Sequence, residues 1–235
     1  MSYCLNPNCS KPQNPPTVKL CKNCRSKLLL RDRYRAIKPI GQGGFGRTFL
    51  AVDEDKPSKP RCVIKQFLPD SQLIPSSVDR NSKKAAQLFE QEAMRLDELG
   101  KHPQIPELLA YSIQDSRQYV VQEFIDGQNL AQIVAQEGTF TDGQIKDLLN
   151  SLLPVIHFIH SHNVIHRDIK PGNIIRRADK QLVIVDFGAA KIATGTALLK
   201  TGTSIGSPEY IAPEQARGKA FFTSDLYSLG VTCLY

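Results

Sequence analysis

Two short stretches hold the side chains best suited to chemistry. His166-Arg167-Asp168-Ile169-Lys170-Pro171-Gly172-Asn173 places a carboxylate, a lysine and an amide in one loop, and Asp186-Phe187-Gly188 closes the apolar run Leu182-Val183-Ile184-Val185. A carboxylate so placed is suited to accept a proton from an attacking hydroxyl. A second carboxylate with an amide oxygen offers hard ligands to Mg²⁺. Together these groups suit transfer of a phosphoryl group from a nucleotide.

A second cluster lies at the N-terminus. Cys4 and Cys9 are separated by four residues, Cys21 and Cys24 by two, and the two pairs by eleven, with Pro and Asn in the gaps. Two close pairs bracketing a loop are able to meet tetrahedrally around Zn²⁺, with each thiolate about 2.3 Å from the metal. So short a segment buries no core of its own, so the metal would supply its folding energy. The first gap is wider than the usual two residues, and on spacing alone a disulfide pair or a disordered tail is the alternative.

The elements that must position these groups are readable in order. Gly41-Gln42-Gly43-Gly44-Phe45-Gly46 follows the strand-like Arg35–Ile40 and precedes Arg47–Val52, which reads as another strand. A dinucleotide-binding glycine loop would open a helix, so this one reads as a hairpin whose backbone N–H groups lie over phosphates. In the next strand, Cys62–Phe67, alternation puts Val63, Lys65 and Phe67 on one face. A lysine there needs an anion. The helix predicted from Ser82 to Leu99 supplies one, because Glu92 falls on its apolar stripe of Ala85, Leu88, Phe89, Leu96 and Leu99. The polar connection from Pro69 to Lys83 has no assigned role. Tyr119–Ile125 reads as a further strand. Thr141 and Gln144 form a capping box, after which Ile145, Leu148, Leu149, Leu152, Leu153 and Ile156 make a helical stripe interrupted by Pro154. His157, His160 and His162 near its end read as structural, since no further metal-ligand pattern accompanies them.

Bulk properties narrow the class. The 235 residues are 41% hydrophobic and 23% charged, ordinary for a globular chain of one good-sized domain with an appendage. Of the net charge of +7, residues 1–33 hold all but about +1, with seven Lys/Arg against Asp32. The basic character is local, which argues against nucleic acid as the partner of the whole chain. No apolar run approaches the ~20 residues of a membrane span, and the N-terminus lacks a secretory signal. A cytoplasmic location is expected, where six cysteines point to metal or burial before disulfides.

The ordered motifs resemble the eukaryotic-type Ser/Thr protein kinases over residues 34–235. With its cysteine-bearing head, the chain is most similar to the cyanobacterial kinases that carry a four-cysteine prefix. The resemblance implies an α+β, bilobal fold: a zinc-ribbon-like head (1–33), a β-rich N-lobe with hinge (34–125) and a partial helical C-lobe (126–235). It implies ATP and Mg²⁺ as cofactors, with zinc in the head, and an ATP-dependent signalling kinase acting on Ser/Thr of protein substrates. Asp168 would orient the substrate hydroxyl, Lys170 would steady the transferring phosphoryl group, Asn173 and Asp186 would hold Mg²⁺, and Lys65 paired with Glu92 would reach the phosphates. Gly41, Gly43, Gly46, Thr48, Val63, Glu123, Ile125 and Ile175 would line the nucleotide site, with Gln122 at its rear. Thr48 and Val63 depart from the family's usual Val and Ala, which implies a tighter, more polar adenine pocket.

Lys170 and the segment Gly206–Glu214 favour Ser/Thr over Tyr as acceptor. Arg167 would read a phosphate on Thr194, Thr196, Thr201, Thr203 or Ser204, with Thr201 or Thr203 preferred. The match stops in the helix beginning near Ser224, whose Asp225 would anchor the catalytic loop. An incomplete C-lobe is therefore expected to leave Leu226, Leu229, Val231 and Leu234 facing water and the lobe loose. The other reading, from a different class, is a non-catalytic nucleotide-binding adaptor whose head docks a regulatory partner.

Overall fold

A computed structural model describes residues 1–43, 46–68, 90–189, 191–192 and 206–234. The chain divides into two compact units, Met1–Ala93 with Leu108–Phe124, and Met94–Glu107 with Ile125–Tyr235.

The first unit is built on a six-stranded antiparallel sheet. Its strands are β3 (Leu29–Leu30), β4 (Tyr34–Gly43), β5 (Gly46–Asp53), β6 (Arg61–Phe67), β7 (Leu108–Gln114) and β8 (Arg117–Glu123), in the order β3-β4-β5-β6-β8-β7. Alternation along the strands sends Ala36, Phe49, Ala51, Cys62, Ile64, Tyr119 and Val121 to one buried face. The cysteine head covers that face. Its short strands β1 (Ser2–Tyr3) and β2 (Gln13–Asn14) pair with each other. Leu5 joins the same apolar cluster, and the Tyr3 ring lies 5.7 Å from that of Phe49. Buried Arg35 fastens the layers, with Nη1 donating to Ser2 Oγ (3.1 Å) and Val18 O (3.0 Å) while Nε pairs with Glu54 (2.6 Å).

The boundary drawn in the sequence after residue 33 is therefore no boundary between compact units. A segment with four cysteines and few large apolar side chains has little core of its own, so Tyr3 and Leu5 are shared with the sheet. The sheet also curls back on itself. Arg31 N, just past β3, donates to Gln114 Oε1 at the end of β7 (3.0 Å), and Tyr34 Oη donates to Leu109 O (3.5 Å).

On the opposite face, Phe67 and Val120 pack with Ala93 of the helical residues 90–99 (α1), flanked by Leu108 and Tyr111. Leu96 and Leu99 are buried as the stripe required. Ala85, Leu88, Phe89 and the Pro69–Lys83 connection lie outside the described residues.

The second unit holds β9 (Gln128–Asn129), α2 (Leu130–Glu137), α3 (Asp142–Ser161), β10 (Val164–Ile165), β11 (Ile174–Arg176), β12 (Leu182–Ile184), β13 (Lys191–Ile192), α4 (Pro213–Ala216) and α5 (Phe222–Leu234). Both α2 and α3 open on capping boxes, Asn129 with Gln132 and Thr141 with Gln144. Helix α3 runs unbroken through Pro154 and buries Leu148, Leu152, Val155, Ile156 and Ile159. Leu153, placed inward by the sequence pattern, is 43% exposed. It sits about 100° round the helix from Leu152, and the stripe continues through Val155 and Ile159 instead.

The expected exposure of α5 holds only in part. Leu226 and Leu234 are exposed, but Leu229 is 2% exposed. Leu229 shares the buried side of the helix with Asp225, Ser228 and Thr232, and Ser228 Oγ donates to Tyr210 O at 2.8 Å. Among the described residues no helix is long and apolar enough to cross a membrane.

Candidate active site

In the second unit, β11 pairs with β12 (Ile174↔Ile184, Ile175↔Val183, Arg176↔Leu182) and with β9 (Ile175↔Asn129). This ladder carries the two chemical loops at one end. Val185 N donates to Asn173 O at 2.9 Å, so the residue before Asp186 is tied to the end of the His166–Asn173 loop. The rings of His166 and Phe187 meet edge to face, 4.7 Å between centroids, and so pack the two loops together. His166 is fully buried, and desolvation holds its imidazole below the usual range against the opposing pull of Asp225, Asp168 and Asp186. The neutral ring accepts a bond at Nδ1 from Asp168 N (3.3 Å).

Asp168 is the hub. Its Oδ1 accepts from Ser207 N (3.0 Å) and Ser207 Oγ (2.9 Å), and its Oδ2 accepts from Asn173 Nδ2 (2.8 Å). Lys170 Nζ lies 2.8 Å from Oδ2 and donates to Ser207 Oγ (2.6 Å). Asn173 Nδ2 also donates to Asp168 O (2.9 Å). With its NH₂ committed in this way, the Asn173 amide oxygen is the atom suited to a cation. Asp186 is exposed, with φ at 69°, a left-handed conformation outside glycine that marks stored backbone strain.

Ser207 escaped the sequence reading, which took it only as part of the segment Gly206–Glu214. The signal was its hydroxyl directly after Gly206. That glycine has φ +134°, and a Cβ there would come within 3.0 Å of Arg167 O. The chain can make this approach only without a side chain.

Beneath the loop lies Asp225 of α5, 1% exposed. Its Oδ2 accepts from His166 N (2.9 Å) and its Oδ1 from Arg167 N (2.8 Å), while His160 Nε2 stands 2.8 Å from Oδ2. The anchoring role expected of Asp225 is thus present, and His160 is part of it. His162 packs on Phe158 at 4.3 Å. Arg167 has φ 69°, is 5% exposed, and its buried Nε has no hydrogen-bond partner among the described residues. Its five candidate phosphate donors at 194–204 lie outside the described residues.

In the first unit, Lys65 Nζ is paired with Glu92 Oε1, the carboxylate being 4% exposed. Thr48 stands opposite both Gly41 and Lys65 in the ladder, and Gly43 opposes Gly46 across the hairpin. Gly44 and Phe45, at its tip, lie outside the described residues. Gly46 has φ +152°, and a Cβ on it would fall 1.9 Å from Gln66 O. Gly46→Ala is expected to cost about 2–4 kcal/mol in strain and overpacking, read as a lower melting temperature of the first unit. Val63 is buried beside Gln122 in the ladder, and the Gln122 Oε1 is buried without a hydrogen-bond partner among the described residues. Glu123 closes β8 in this unit, whereas Ile125 and Ile175 belong to the other.

The four N-terminal cysteines do converge. Their Sγ atoms all lie within 4.8 Å of one another, with Cys4–Cys24 at 3.5 Å and Cys9–Cys21 at 3.6 Å. Tetrahedral bonds of 2.3 Å set neighbouring sulfurs about 3.8 Å apart, so the cluster has the dimensions of a Zn²⁺ site. All six cysteines are free. Asn14 Nδ2 donates to Cys21 Sγ and Asn23 Nδ2 to Cys9 Sγ, both at 3.5 Å, the kind of support that stabilises thiolate ligands. Burial opposes ionisation of Cys24, yet bonds with Ser26 and the neighbouring thiols outweigh it and bring the thiol down to about 6. Burial pushes Cys4 up. Among the described residues this is the one group of His, Cys, Asp or Glu with metal-site geometry.

A lysine–glutamate pair behind a glycine hairpin and an aspartate–lysine–asparagine loop backed by Asp225 together define a protein kinase domain. The chain matches the protein kinase domain family over residues 34–235 and belongs to that family. It is 44% identical over 244 residues to Serine/threonine-protein kinase B from Synechocystis sp., an alignment covering 100% of this chain and 42% of that protein. Serine/threonine-protein kinase C of the same organism is 46% identical over 88% of this chain and 39% of its own length. Serine/threonine-protein kinase PknA from Nostoc sp. is 43% identical over 88% of this chain and 37% of its own length. The chain thus spans less than half the length of these relatives.

Proposed function

We propose that this chain is the catalytic portion of a Ser/Thr protein kinase, moving the γ-phosphoryl group of ATP to hydroxyls of protein substrates in signalling. The observation that carries the reading is the Asp168 cluster, in which a lysine, an amide and a serine hydroxyl all lie within hydrogen-bond distance of one carboxylate. Asn173 and Asp186 would hold Mg²⁺, which would supply positive charge against the phosphates. Asp168 orients the acceptor hydroxyl and takes its proton at a carboxylate oxygen. Lys170, held by Ser207, presents its ammonium to the phosphoryl oxygens as charge spreads over them. Lys65, fixed by Glu92, presents a second cation to the phosphates. Positioning and electrostatics supply most of the rate in such transfers.

The test is transfer of label from γ-labelled ATP to a generic protein substrate, followed by phosphoamino-acid analysis, with Asp168→Asn as control. Phosphoserine or phosphothreonine that disappears in the control supports the reading. A folded, unsubstituted chain with no transfer leaves only the nucleotide-binding adaptor. Ser207→Ala removes one ligand from both Lys170 and Asp168 but keeps the backbone bond. It is expected to lower kcat about tenfold, the order of one charge-assisted bond, with KM for ATP little changed.

The head is proposed to hold one structural Zn²⁺ on Cys4, Cys9, Cys21 and Cys24. A regulatory partner there would meet exposed Lys11, Lys19, Lys22 and Arg25, since Tyr3 and Leu5 of the head face its own sheet. A cytoplasmic location is supported by the free state of all six cysteines. Arg167, buried and with its Nε unpartnered among the described residues, is suited to bind a phosphate carried by the segment after Asp186, with Thr201 or Thr203 preferred.

A further inference from the structure

Gln66 sits where three functional parts of the first unit meet. It is 1% exposed and is the last residue of β6 paired with β8, opposite Tyr119. Its side chain points to the head-covered face, where Nε2 donates to Leu5 O (2.7 Å) and to Tyr119 Oη (2.9 Å). Leu5 directly follows Cys4 of the thiol cluster. The Gln66 carbonyl stands where Gly46 has room for no side chain, at the foot of the glycine hairpin. The preceding residue is Lys65, directed to the other face and paired with Glu92.

We propose that Gln66 is a positioning residue that fixes the end of β6 against the cysteine head, and thereby sets Lys65 and the foot of the glycine hairpin for nucleotide. The inference rests on reading those two elements as the phosphate-holding ones. Its physical basis is local. Beyond Gln66 the β8 ladder stops, so the strand loses the inter-strand bonds on that side that would fix its path. A buried amide held by a carbonyl from the head and by a tyrosine hydroxyl replaces them. Leu5 O is a main-chain acceptor whose place is dictated by Cys4, so a well-ordered head is a rigid abutment for the strand. Without the amide bond, the peptide between Lys65 and Phe67 gains freedom that ATP binding must then remove.

The experiment measures MgATP dissociation constants by calorimetry on the full chain, with melting temperatures alongside. The variants are Gln66→Met, Ile64→Val and Lys65→Met. Methionine keeps the length and removes the donor. Ile64→Val loosens the same buried face without touching the amide, so a merely structural role for Gln66 would move both variants alike. The expected result is a roughly tenfold weaker MgATP complex for Gln66→Met and less than a twofold change for Ile64→Val. Equal shifts in the two, or unchanged binding by folded Gln66→Met, overturn the proposal. Should Gln66→Met not fold, Tyr119→Phe decides, with about threefold weakening expected and none overturning it. Lys65→Met separates the two levels. If it binds MgATP as the unsubstituted chain does, the nucleotide reading itself fails. If it weakens binding while Gln66→Met does not, only the role of Gln66 fails.

Discussion

Asp225→Asn should be nearly as damaging as Asp225→Ala, although it preserves shape almost completely. The buried carboxylate accepts the His166 and Arg167 main-chain N–H groups on separate oxygens, with His160 sharing one of them. An asparagine has a single acceptor oxygen, so one amide hydrogen would confront an NH₂ group inside the protein. Each buried donor left unsatisfied costs about 1–3 kcal/mol, and Arg167 is held at φ 69°, a conformation that persists only while its surroundings impose it. We expect a loss of about 3–5 kcal/mol from the second unit, within the range for removing one partner of a buried charged pair. Amide exchange at His166 and Arg167 should rise by at least a hundredfold, and phosphoryl transfer should fall to background. Exchange rates at those two amides unchanged in Asp225→Asn would refute the anchoring role.

Stripping metal from the head is expected to have the other large effect. Structural Zn²⁺ contributes roughly 10–16 kcal/mol of apparent binding energy in small metal-folded peptides, and here the metal-shaped segment covers one face of a sheet. Losing its order uncovers the cluster of Phe49, Ala51, Ile64 and Val121 together with Tyr3 and Leu5. About 1.5–3 kcal/mol is at stake for each large side chain fully exposed. At roughly 4–8 °C per kcal/mol for a domain of this size, the first unit should melt at least 10 °C lower after chelation or in Cys21→Ser. Metal analysis should give one zinc per chain before chelation. An apo chain that melts at the original temperature would show that the thiols serve another purpose.

Much of the site was legible because each part is a local pattern. Glycine spacing, the inward lysine of β6 and Glu92 on a helical stripe follow from residue type and period, and the loop from His166 to Asn173 was legible through its resemblance to the kinase family. The capping box at Thr141 was legible too, since it needs only residues three apart. What the sequence hid was tertiary. Ser207 became visible only when the chain folded its hydroxyl onto Asp168, 39 residues earlier. The burial of Leu229 depends on which side of α5 is turned inward, the side whose Ser228 bonds Tyr210 O, and the exposure of Leu153 depends on which side of α3 the neighbours occupy. The head was the largest case. Its thiol spacing pointed to the cysteine cluster, but nothing in residues 1–33 announces that Leu5 lies against Gln66, 61 positions away.

That distance bears on how the protein is made. The head leaves the ribosome before the sheet it covers, and its thiols are within reach of one another as soon as Cys24 emerges. Its docking surface is completed only when β8 has been synthesised, since Tyr119 and Val121 belong to the same cluster. At about 5–20 residues per second, the interval is of the order of ten seconds. Throughout it Tyr3 and Leu5 have no sheet to cover, and nascent chains are then at their most adhesive. Early metal capture would shorten the list of wrong contacts open to them by fixing the loop that carries both side chains.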